Sequence, residues 1–262
     1  MKILMIYCNS LFGKEGLAMK KTQWGLLAIF TVVAAALRVW QNLTGFEESG
    51  LSARGNLPGV LLPLVLAGAA ACFCLATRRL PARLDTAGGF SSRFRFRNML
   101  PVTCAISGAF LVFACAAASA LGYGTMHNVL LSAFAIAAAF SVLYVVFTVY
   151  RGGEPQGVAL LVPVCCFAVY LIFLYRADAS DPVLAHIYVE LLAISALAFT
   201  ALERAAFAYG NAAPRIYVAV SALAVILSLT AAVDGKSLAT LLLFVGCALV
   251  EAGFLAAADF EQ

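Results

Sequence analysis

Residues 237–258 read SLATLLLFVGCALVEAGFLAAA, 22 residues with a single charge, Glu251. At about 1.5 Å per residue, a helix of that length spans ~33 Å, enough to cross a hydrocarbon core of about 30 Å. In lipid a helix is the only option for such a run, because its backbone N–H and C=O groups must be satisfied within the segment. Working back toward the N-terminus, seven more apolar runs lie near 214–233, 182–203, 157–175, 128–150, 101–121, 58–77 and 22–40. The sequence therefore predicts an all-α polytopic integral membrane protein, a bundle of eight transmembrane helices.

Composition points the same way. Hydrophobic residues make up 64% of the chain and charged residues 11%, against roughly 25% charged in a soluble domain. With a mean hydropathy of +0.98, so much apolar surface cannot fit inside a water-soluble core. The net charge of +4 is small, and no nucleic-acid partner is expected. Seven of the eight cysteines fall inside apolar runs and the other is Cys8. Cysteine in such runs behaves as a small hydrophobe. Cys72 and Cys74 point to different sides of a helix, and Cys165 and Cys166 are adjacent, so neither pair has metal-ligand spacing. No metal, cofactor or disulfide framework is expected.

The breaks between runs carry their own chemistry. Asn56-Leu57-Pro58-Gly59, Pro101, Asp181-Pro182 and Pro214 open helices, because proline at a first position gives up an N–H that has no partner anyway. Asp181 reads as an N-cap. Gly152-Gly153 and Asp234-Gly235 read as turns. Pro163 lies inside its run and predicts a kink.

Lys and Arg set the orientation. With the N-terminus in the cytoplasm, the inner segments hold 13 and the outer segments 4, or 11 against 4 without residues 1–18. Both termini are then cytoplasmic. Residues 1–18 are themselves expected to be a leader outside the folded domain. Lys14-Glu15-Gly16 can be encoded with AAGGAGG, a bacterial ribosome-binding sequence, and Leu17-Ala18 supply a spacer before Met19. That reading also places the chain in a bacterial plasma membrane, with residues 19–262 forming one transmembrane domain. A faint repeat relates 139–155 to 198–214 at a constant offset of 59.

Few groups inside the spans can do chemistry, and no catalytic residue is assigned. His186 and Glu190 are four apart and share a helix face. Counted from Pro182, Glu190 lies ~12 Å into its helix. An ionisable group at that depth is a functional candidate. It reads either as a proton- or cation-responsive pair at an outer cavity, or as a structural pair with Glu190 neutralised by Arg38 or Arg176. The outer vestibule would also take in His127, Asp178 and Asp181, with residues 38–59 as a lid. Glu251 is a second intramembrane acid, read as a hydrogen-bonded, protonated group or as a further station on a path. The segment RRLPARLDTAGGFSSRFRFRN (78–98) carries Arg78, Arg79, Arg83, Arg93, Arg95 and Arg97. Its alternating Phe94 and Phe96 suggest rings in the membrane interface and guanidinium groups on anionic headgroups, or a docking surface for a membrane-protein partner. Small-residue spacings such as Ala105–Ala109 and Ala116–Ala120 permit close packing within the chain or in a homo-oligomer.

Three readings of function follow. The first is a permease-like protein for a small solute or ion. The second is a membrane-embedded accessory or assembly subunit that docks a partner through the basic loop. The third, an intramembrane lipid enzyme, is weakened by the scarcity of buried polar groups that acid–base chemistry needs.

Overall fold

The apolar runs become helices whose ends fall close to the caps and prolines of the sequence. The computed structural model describes residues 19–45, 56–84, 89–96, 98–121, 126–178, 187–234 and 237–260. Its helices are α1 (Lys21–Thr44), α2 (Leu57–Ala76), a 3-10 turn (Thr77–Arg79), α3 (Gly89–Arg93), α4 (Met99–Leu121), α5 (Met126–Tyr150), α6 (Gly157–Asp178), α7 (Tyr188–Ala206), α8 (Pro214–Ala232) and α9 (Leu238–Ala257). The Asn56 side chain accepts from the Gly59 N–H at 2.9 Å, and Ser237 Oγ accepts from the Thr240 N–H at 3.1 Å. Both satisfy amides that a helix start leaves open. Pro214 opens α8 at its first turn, and Pro163 lies inside α6.

Seven helices are long and apolar enough to cross a membrane: α1, α2, α4, α5, α6, α8 and α9. The chain is thus an all-α, multi-pass membrane protein. The eighth expected span departs from the sequence reading. Its helix, α7, begins at Tyr188 and carries Glu190, Glu203 and Arg204 within 19 residues, a charge load the other seven do not have. Residues 1–18 and the 46–55 part of the expected lid lie outside the described residues.

Neighbouring helices form a closed ring. α4 packs on α5, α5 on α6, α6 on α7, α7 on α8 and α8 on α9, which returns to α4. The α1–α2 hairpin lies outside the ring, with both helices against α8. This makes α8 the best-covered helix, with 72% of its apolar window buried against 17% for α2. The outward faces stay apolar: Val32, Leu64 and Ile172 are each at least 60% exposed. Lipid is the solvent that suits such a surface.

The closest approach joins α4 and α9. Ala105, Gly108, Ala109 and Val112 recur at helical spacing and are buried, as are Gly246, Val250 and Gly253. A Cβ added to Gly108 would lie 2.6 Å from the Gly246 carbonyl oxygen, and one added to Gly253 would lie 2.8 Å from the Ala105 nitrogen. Helix backbones therefore meet directly, the arrangement small residues permit in membranes. Ala105 and Ala109 serve this seam as their spacing suggests. Ala116 is buried too, whereas Ala120 is exposed.

Lys20, the 3-10 turn, the 151–156 turn and the 207–213 turn gather at one end of the bundle, the basic face. Here the structure corrects the expectation for the Phe94 and Phe96 rings. They do not lie in a membrane interface: Phe94 is 0% and Phe96 4% exposed. Phe94 is extended and pairs with Ala258 in an antiparallel bridge, with the Arg95 N–H on the Ala257 carbonyl at 2.7 Å and the Asp259 N–H on the Arg93 carbonyl at 2.8 Å. Alternation along extended backbone then separates rings from charges. Phe94 stacks on Phe90 at 4.4 Å and meets Phe207, Tyr217 and Phe254 edge-on at 5.1, 5.4 and 6.0 Å. Glu154 accepts from the Phe90 and Ser91 N–H groups, which fixes α3 as the start of this aromatic cover.

Candidate functional site

Two buried ion pairs stand near opposite ends of the bundle. The first is at the end away from the basic face. Arg38, near the end of α1, is 1% exposed. Its Nε meets Asp234 Oδ1 at 2.5 Å and its Nη2 meets Oδ2 at 2.9 Å. This fork matches the planar geometry of both groups. Nη1 donates to Gln41 Oε1 at 2.9 Å, Asn42 donates to Asp234 at 3.2 Å, and the guanidinium lies 5.4 Å from the Tyr188 ring. The clasp ties α1 to the α8–α9 turn. The sequence reading offered Arg38 as one of two partners for Glu190 and took Asp234 only as a turn residue.

Glu190 is buried in the first turn of α7, where backbone N–H groups favour a carboxylate. The helix that carries it begins at Tyr188, and Pro182, from which its depth was counted, lies outside the described residues. Tyr188, two residues from Glu190, is one contact between α7 and the Arg38 clasp. Arg176 is exposed at the end of α6. His186 and Asp181 lie outside the described residues, as do the side chains of His127 and Asp178.

The second pair is Arg204 on α7 and Glu251 on α9. Nη1 meets Oε1 at 3.0 Å, with side chains 3% and 2% exposed. The guanidinium also lies 4.2 Å from the Phe254 ring. Glu251 Oε2 is buried with no hydrogen-bond partner. Glu251 is hydrogen-bonded, as the sequence suggested, and its partner is Arg204. The partner was hidden because Arg204 falls just past the expected span and reads as a surface cation.

Between α4, α5, α6, α7 and α9 runs an apolar crevice of about 40 Å³ that ends on this pair. Ala109, Ala139, Pro163, Phe167 and Leu197 are among its walls, and Arg204 and Glu251 are its charged lining. A space of this size holds about one or a few water molecules and is too small for a benzene-sized guest. On the basic-face side of the pair, Phe254 touches both Arg204 and the Phe94–Phe96 segment.

The basic loop divides. Arg78, Arg79, Arg83 and Arg95 are exposed, Arg93 is half-buried, and Arg97 lies outside the described residues. Arg95 meets Asp259 at 3.6 Å. Among the described residues no group of three or more His, Cys, Asp or Glu is placed to hold a metal ion. No protein-family model, curated protein or solved structure matches this chain.

Proposed function

We propose that the chain is a permease-like protein for a small solute or ion, with Arg204 and Glu251 as its internal polar station. One observation carries this reading: a buried carboxylate, held by arginine through one oxygen, turns its other oxygen to no protein partner while lining an apolar crevice. A buried polar atom without a partner costs free energy unless water or a ligand meets it. The pair lies between the aromatic cover on one side and the Arg38–Asp234 clasp on the other. Glu190 and His186 belong to this reading as the polar groups of the far end, facing outward in a bacterial plasma membrane.

The test is flux in proteoliposomes containing a trapped pH-sensitive dye, with protons and methylammonium as probes. Wild-type protein carries flux above that of protein-free vesicles, and Glu251→Gln reduces it to background. Arg95→Gln leaves it unchanged. Background flux from the wild type with both probes would remove the permease reading.

The accessory-subunit reading is favoured by a different observation, the four exposed arginines held on one ordered face. It predicts a stoichiometric protein companion on gentle extraction, lost when Arg83 and Arg95 become glutamine.

A further inference from the structure

We infer that the cleft between α1 and α2 on the basic face is a binding site for an anionic phospholipid, held by Lys20 and Arg79. The inference is independent of the transport reading. The cleft measures about 860 Å³ and is lined by Lys20, Gln23, Leu26, Cys72, Leu75 and Arg79, among others, with no carboxylate among the described residues of its wall. Lys20 precedes α1 and Arg79 ends the 3-10 turn after α2, so two antiparallel neighbours bring their cations to one mouth. Lys21 and Arg78 stand exposed beside them.

The turn that carries Arg79 is fixed. Arg215 on α8 donates to the Arg78 carbonyl at 2.9 Å and to the Leu80 carbonyl at 2.8 Å. Gln23 on α1 donates to the Ala76 carbonyl at 3.3 Å, which ties the two helices beside the cleft. Below the cations the wall becomes apolar. Leu26 lies six residues beyond Lys20, ~9 Å along α1, and Cys72 lies seven residues before Arg79, ~10 Å back along the chain. Polarity therefore changes over the depth at which a phospholipid passes from phosphate to acyl chain. A guanidinium and an ammonium suit a phosphodiester. Leu26, Cys72 and Leu75 suit the chains beneath it. Free phosphate would leave that apolar half in water, and a zwitterionic headgroup would bring a second cation to a cationic mouth.

Native mass spectrometry of the detergent-purified chain, given equal phosphatidylglycerol and phosphatidylcholine, tests the site. Wild-type protein retains phosphatidylglycerol preferentially. Lys20→Gln with Arg79→Gln lowers that retention on the order of tenfold, since each basic group near an anionic surface contributes a few-fold. Lys20→Arg with Arg79→Lys restores it, and Arg83→Gln, outside the cleft, leaves it intact. Equal retention of both lipids, unchanged retention in the glutamine pair, or displacement by excess inorganic phosphate would each overturn the assignment.

Discussion

Gly246→Val lowers stability by about 3 kcal/mol, a fall of roughly 6–12 °C in Tm for a chain of this size. A Cβ on Gly246 would lie 2.8 Å from the Gly108 carbonyl oxygen and 2.9 Å from the Val112 nitrogen. Both are backbone atoms inside a helix, so no rotamer change relieves the clash and α4 and α9 must separate. Separation opens the seam along its length, because Gly108 and Gly253 make the same kind of contact. Lipid offers little help here, since van der Waals packing rather than apolar transfer holds such helices together. Gly25→Ala and Gly68→Ala are the controls. An added Cβ meets nothing within 4 Å at either position, and alanine improves helix propensity by up to about 1 kcal/mol. Thermal unfolding in detergent measures all three. Equal losses at Gly246 and Gly68 would mean that the seam is not the tight contact described.

Arg204→Leu has the second large effect, about 3–5 kcal/mol, because it strands a buried carboxylate. Glu251 is 2% exposed and its other oxygen already lacks a partner. Removing both charges, with Arg204→Leu and Glu251→Leu together, recovers most of that loss. Arg204→Lys falls between, since an ammonium keeps the charge but loses the planar contact with Phe254. A four-member cycle of these variants reads the coupling directly. Additive single effects would show that the two groups do not act as a pair.

Both effects arise from side chains whose partners are distant in sequence, which is where sequence reading ran short. The apolar runs needed only hydropathy, length and the proline and cap signals at Asn56, Pro214 and Ser237, so seven helices were legible within a few residues at each end. The small-residue spacing at Ala105 and Ala109 also pointed to close packing, though not to Gly246 as the opposite wall. The run expected at 182–203 overlaps α7, which begins at Tyr188 and continues to Ala206; Pro182 lies outside the described residues. Glu190 and Glu251 were recognised as unusual from their surroundings alone. The partners of Arg38 and Glu251 were not, because Asp234 sits in an Asp-Gly turn and Arg204 at a span end, both of which have ordinary surface readings. The Phe94–Phe96 alternation was correctly seen as two-sided. Which side faced protein depended on pairing with Ala258 and on rings from Phe207, Phe254 and Phe260, contacts that no local pattern encodes.

The crevice and its ion pair depend on α7 crossing the membrane, although α7 is the most charged of the long helices. Sidedness of labelling tests that crossing directly. In a cysteine-free background, Gln156→Cys precedes α6 and Asn211→Cys follows α7, while Thr44→Cys ends α1; all three positions are exposed. With a membrane-impermeant maleimide, eight crossings predict that Gln156→Cys and Asn211→Cys label from the same side and Thr44→Cys from the other. Labelling of Asn211→Cys from the Thr44 side would mean that α7 does not cross, and would contradict the ring on which the site is built.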